Sequence, residues 1–172
     1  SAFVLFAADG NDPRRREFFI SGLVAALSIQ KSSTRPADVV MLVFGSLDAS
    51  DIALMLAMGL KIRFVEGVGA PVPGDFAKED NRTREIYRAH LRALQLTEYE
   101  AIISMDSDIV VMRDMTNLFD LDISFGVKAC FVQPPEPNGP GDCPVAPINT
   151  GFWMTRPSCD DFNGINSVAK SG

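Results

Sequence analysis

Two carboxylates one residue apart, Asp106 and Asp108, interrupt an apolar run that extends from Ala101 to Met112. A short apolar run bounded by polar residues reads as a buried strand. Alternate side chains of a strand share a face, so the pair is predicted to project together near the carboxyl end of a central strand. Neighbouring carboxylates repel each other and resist burial. A divalent cation relieves both costs and brings a phosphate-bearing ligand with it. The same spacing also suits a solvated strand end or a helix cap, and from the two residues alone both readings stay open.

The elements that must position this pair alternate between two periods. Residues 2–8, 39–44 and 61–65 are apolar, strand-like runs. Between them, Phe19, Leu23, Ala26 and Leu27 recur at helical spacing after a turn at Asp9–Asp12. There Pro13 suits the first helical position behind an Asp12 cap. A short helix capped by Asp48 or Ser50 is predicted to end at Gly59. A helix from about Asn81 to Leu96 leads into the Asp106/Asp108 strand. A short helix over 113–120, strands over 126–132 and 148–154, and a last helix opened by Pro157 complete the order. The Gly- and Pro-rich stretches 66–80 and 133–147 read as long loops. Strands alternating with helices define one α/β layered domain over residues 1–172 with a mostly parallel sheet. In such sheets ligands sit beyond the carboxyl ends of the strands, where Asp9 could meet Asp106 and Asp108.

Composition narrows the function classes. The 172 residues are 47% hydrophobic and 22% charged, ordinary for a globular domain. A net charge of −6 argues against nucleic acid or an anionic membrane as the main partner. Cys130, Cys143 and Cys159 lack metal-site spacing, and His90 is the single histidine. Cys130 is expected to be a buried thiol. The start at Ser1 reads as a trimmed chain, which leaves cytosol, secretory lumen or an organelle open as compartment. The Arg14–Arg15–Arg16 run is read as a solvated helix start, and the stretch Leu54–Met58 as core. His90 reads first as a partly exposed helix residue, and Asn149 as either a strand-edge amide or a pocket residue.

Four segments together resemble glycosyltransferase family 8, the glycogenin-like enzymes of GT-A fold. They are Ala2–Leu5 with the helix containing Gly22–Ile29; Leu94–Tyr99; Asp106-Ser107-Asp108 with Val110-Val111 and Asn117-Leu118-Phe119; and Ile148-Asn149-Thr150-Gly151-Phe152 followed by Arg156-Pro157-Ser158. The resemblance covers nearly the whole chain. It implies a three-layer, Rossmann-like nucleotide-diphospho-sugar transferase fold. It also implies retaining transfer of a hexose from a UDP-sugar to a carbohydrate or protein hydroxyl, dependent on Mn²⁺ or Mg²⁺.

By the same resemblance Asp106 and Asp108 are the metal ligands. Ala7, Ala8, Asp9, His90, Ser107, Asn149, Thr150 and Gly151 bind the nucleotide-sugar. A basic residue usually precedes the DxD motif. Here His90 stands at that place with Arg88 and Arg92 beside it, and which of them takes the role is open. The family's later Asp-Gln pair and His-x-x-Gly-x-x-Lys segment are not among the 172 residues. The expectation is therefore the donor-binding part of such an enzyme, truncated before its C-terminal motifs. The alternative is an inactive GT-A-like scaffold or subunit within a larger protein assembly.

Overall fold

The computed structural model describes residues 1–8, 16–67, 89–122, 124–128 and 148–171. The first strand, β1 (Ala2–Ala8), is buried along its whole length. Continuous burial requires both faces to be covered, and they are. Phe3, Leu5 and Ala7 pack with Phe19, Ala26 and Ile29 of α1 (Arg16–Ser32) and Met55 of α2 (Ala49–Ala57). Val4, Phe6 and Ala8 pack with Val40, Leu42 and Phe44 of β2 (Asp38–Phe44), and with Ala89 and Ala93, which respectively precede and lie within the 3₁₀ helix His90–Gln95. The last helix, α3 (Cys159–Ser171), joins this second side through Phe162, Leu94 and Trp153. Helices on both sides of a sheet give the expected three layers.

The remaining strands are β3 (Lys61–Val65), β4 (Ile102–Met105), β5 (Phe125–Lys128) and β6 (Ile148–Thr155). The spatial order is β3-β2-β1-β4-β6-β5. The β1–β2, β2–β3 and β1–β4 pairs are parallel; β6 is antiparallel to both β4 and β5. The sheet is therefore mostly parallel, as expected. Expected turns at Asp9–Asp12, most of the two long loops, Cys130 and Cys143 lie outside the described residues. Among those residues no helix is long and apolar enough to cross a membrane, and Cys159 is an exposed free thiol.

Local details depart from the sequence reading in instructive ways. Asp48 is the cap of α2 through its backbone carbonyl, which accepts the Asp51 and Ile52 N–H groups, with no side-chain cap bond. Gly59 takes the left-handed conformation (φ 74°) expected of a residue that ends a helix. Within the Met-rich stretch only Met55 is fully buried; Leu54 and Leu56 face outward. The expectation of a solvated arginine run is overturned at Arg16, whose guanidinium forks onto the buried Asp51 carboxylate and lies over the Phe19 ring. It ties α1 to α2, and Arg14 and Arg15 lie outside the described residues. The last helix starts at Cys159 rather than at Pro157. Ser158 is its cap, taking the Asp161 N–H on Oγ at 3.1 Å.

Candidate donor and cation site

The sequence adds β2 and β3 on one side of β1 and β4 on the other. Such a switch point opens a crevice beyond the carboxyl ends of the two central strands. Ala7 and Ala8 close β1 at this edge, and Met105 closes β4. Asp106-Ser107-Asp108 follows Met105 directly.

The expected continuation of β4 through the carboxylates is overturned. The ladder stops where Met105 pairs with Phe152. The Asp106 N–H then donates to the Gly151 carbonyl at 2.7 Å, and the Ile109 N–H donates to the Asp106 carbonyl at 3.3 Å. That closure is a turn, so strand alternation does not set the direction of the two side chains. The carboxylates are nonetheless close enough to sense each other. Burial first, and the neighbouring Asp108 charge second, push the Asp106 carboxyl above its ordinary range. Asp106 is half-buried and Asp108 is exposed. Among the described residues, neither is paired with a lysine or an arginine.

This donor set fits a hard divalent cation. Mn²⁺ and Mg²⁺ take one or two protein carboxylates and complete their shells with water and phosphate oxygens. Among the described residues no group of three His, Cys, Asp or Glu side chains converges. Within the described residues, Asp106 and Asp108 are the side chains that could contribute to such a shell.

Of the two basic candidates among the described residues, His90 and Arg92, His90 is the one at the carboxylates. Its Nδ1 lies 4.0 Å from Asp106 Oδ1, and its ring lies against Phe6 of β1 with centroids 4.3 Å apart. A protonated imidazole at that distance would form an ion pair. Burial instead lowers the His90 pKa to about 4, so at neutral pH a neutral imidazole faces the carboxylate. Arg92 is engaged elsewhere: its Nε donates to the Glu66 carbonyl at 3.1 Å and its guanidinium covers Phe162 at 4.9 Å. It holds the exit of β3 against the 3₁₀ helix. Arg88 and Asp9 lie outside the described residues.

The segment Asn149-Thr150-Gly151 reaches the same edge by topology. Because β6 runs antiparallel to β4 with Phe152 opposite Met105, the residues before Phe152 extend past the carboxyl end of β4. Gly151 is buried there and receives the Asp106 N–H. The structure thus brings Ala7, Ala8, His90, Asp106, Ser107, Asp108 and the β6 backbone at 149–151 to one crevice.

Sequence reasoning did not anticipate the part of α1 in this site. A Cβ added to Gly22 would meet Met41 Cε at 3.4 Å and Ser107 Cβ at 3.6 Å. The helix therefore passes close beneath the turn. Gly22→Ala is expected to be accommodated and to hold or raise the melting temperature, since helix propensity favours alanine by up to about 1 kcal/mol. Gly22→Leu is expected to lower the melting temperature and displace the turn. Thermal unfolding of the two variants checks both outcomes.

Comparison with known proteins bears on the fold that carries this crevice. No protein-family model matches the chain. Among curated proteins, the Arabidopsis thaliana putative UDP-glucuronate:xylan alpha-glucuronosyltransferase 3 is 27% identical over 158 residues, which cover 88% of this chain and 22% of that protein. The UDP-glucuronate:xylan alpha-glucuronosyltransferase 2 of the same plant is 28% identical over 152 residues, again 22% of its length. The chain thus spans about a fifth of the length of these relatives.

Among solved structures, the glycosyltransferase GlyE of Streptococcus pneumoniae TIGR4 superposes with a TM-score of 0.57 at 17% identity, covering 97% of this chain and 37% of that one. The bifunctional glycosyltransferase WbbM gives 0.61 at 14% identity, over 96% and 33% of the two chains. Mouse xyloside xylosyltransferase 1 gives 0.55 at 12% identity, over 97% and 70%. The fold is that of the GT-A glycosyltransferases. In sequence and in architecture the chain is glycosyltransferase-like.

Proposed function

We propose that this chain binds a UDP-sugar through a divalent cation held by Asp106 and Asp108, as the donor-binding part of a retaining hexosyl- or uronosyltransferase acting on a carbohydrate or protein hydroxyl. The observation that carries the reading is the placement of two carboxylates, unpaired with lysine or arginine among the described residues, on a turn at the switch point between β1 and β4. The curated relatives, whose names specify UDP-glucuronate and xylan, support a nucleotide-sugar donor and a polysaccharide acceptor.

Each residue then has a physical role. Asp106 and Asp108 hold Mn²⁺ or Mg²⁺, which when bound neutralises the diphosphate and the charge that develops on it as the leaving group. Ala7 and Ala8, small and at the end of β1, leave room for the nucleoside. Gly151 presents backbone without a side chain to the sugar, and Asn149 and Thr150 precede it on the same strand. Neutral His90 offers a ring nitrogen at the crevice without adding a cation next to the metal. The protein's contribution to rate is positioning and a fixed electrostatic environment. No side chain is assigned as general base.

Calorimetric titration with UDP in the presence and absence of Mn²⁺ tests the proposal. Micromolar binding that requires the cation is the expected result. No heat with either ligand would sink it and favour the scaffold alternative.

A further inference from the structure

The turn that carries the carboxylates is followed by a segment without a strand partner. Val110 and Met112 face outward, whereas Val111 is buried. Something must satisfy the Val111 N–H, because a buried backbone donor without a partner is costly. The partner is Ser28, near the end of α1. Ser28 Oγ accepts the Val111 N–H at 2.9 Å and donates its own proton to the Ala25 carbonyl at 2.7 Å. One hydroxyl thus bridges the helix backbone to the segment that leaves the turn. Together with the Asp106–Gly151 bond it fixes both ends of the Asp106–Val111 stretch, with Gly22 beneath the middle. A serine within a helix commonly bonds back to its own helix and stops there. Here its remaining acceptor capacity is spent on a residue 83 positions away.

We propose that Ser28 is a positioning residue of the cation-binding turn, holding Asp106 and Asp108 in register by anchoring the Val111 N–H to α1. The inference deepens the proposed donor site and rests on it for its functional consequence. Ser28 touches neither cation nor nucleotide. Its effect is to remove a degree of freedom from the carboxylates, so that less ordering is required when a ligand arrives.

The test uses Ser28→Ala, the conservative Ser28→Thr, and Ile29→Val as a control that loosens the same helix from the core without touching the turn. Amide hydrogen exchange is measured first, on the protein without ligand. Ser28→Ala is expected to speed exchange across residues 106–111. Ser28→Thr, which keeps the hydroxyl, is expected to restore protection, and Ile29→Val to leave that segment unchanged. Titration with Mn²⁺ and UDP is then expected to show about a tenfold loss of cation-dependent affinity for Ser28→Ala, the size of one lost hydrogen bond of about 1.4 kcal/mol, and little change for the other two.

Unchanged protection of 106–111 in Ser28→Ala overturns the inference. So does an Ile29→Val variant that loosens the segment equally, which would mean that general destabilisation is responsible. If the wild-type protein binds no Mn²⁺ or UDP, the donor reading fails, while the exchange experiment still decides whether Ser28 holds the turn.

Discussion

Asp108→Ala is expected to abolish cation-dependent UDP binding and, in the complete protein, turnover of the UDP-sugar. Residues that merely orient metal ligands cost about 10–100-fold when removed, so loss of a direct ligand should exceed about 100-fold. Among the described residues there is no third His, Cys, Asp or Glu to take its place. The same substitution removes the charge that helps to raise the Asp106 carboxyl. Asp106 should therefore titrate at lower pH in the variant, a change that carboxyl carbon chemical shifts can follow without any ligand. Full affinity in Asp108→Ala would show that the turn holds no cation. An unchanged Asp106 titration would show that the two carboxylates do not interact.

The second large effect concerns acid. The folded chain keeps His90 neutral down to about pH 4, against 6.5 for an unperturbed imidazole, because the ring is buried against Phe6. A group whose folded pKa is depressed and which charges on protonation makes the unfolded chain bind the extra proton. Stability therefore falls as pH drops through that window, by about 3 kcal/mol over the full interval. Asp106 acts in the opposite sense: its folded carboxyl is raised, so its protonation favours the folded chain as pH falls. The carboxylates of Asp38 and Asp120 lie below their ordinary values because of Lys61 and Arg35 respectively. Their contributions are present above the unfolded carboxylate pKa and are lost only in stronger acid. Denaturant unfolding at pH 7.5, 5.5 and 4.5 should show the loss in the wild type. His90→Gln, which does not titrate, should flatten it. A wild-type stability independent of pH over this range would mean that His90 is solvated in the native state.

The architecture was legible because its signals are local. Apolar runs at 2–8 and 39–44 coincide with β1 and β2, and Gly59 marks the end of α2 by the conformation only glycine adopts easily. The placement of Asp106 and Asp108 beyond the carboxyl end of β4 was legible too, because they follow the apolar run directly. The strand order β3-β2-β1-β4-β6-β5 was not, since alternation of strands and helices does not fix it. What failed was the step from β4 into the turn. Ile109, Val110 and Val111 are residues that favour strands, yet Val110 and the following Met112 are exposed and the strand ends at Met105. Their conformation is set by Ser28 and Gly22, more than eighty positions earlier, and nothing in the local composition announces a helix beneath.

Which basic residue faces the carboxylates is likewise a tertiary question: the Glu66 carbonyl and the Phe162 ring draw Arg92 away, while His90 lies beside Asp106. Ser158 is different. Ser158 followed by Asp161 carries the serine-to-acid spacing of a helix start, and that signal was available in the sequence.

The central position of β1 has a consequence for biosynthesis. Ala2 is joined to Asp38 on one side but to Ile102 on the other. On a ribosome β1 therefore lacks its β4 neighbour until β4, about a hundred residues later, has been translated and has left the exit tunnel. An unpaired, wholly apolar strand in that interval is a template for wrong pairing. Pairings this distant along the chain also make closure slow. The nascent chain should thus depend on holding chaperones until β4 docks, and the turn that carries Asp106 and Asp108 comes into being only at that moment.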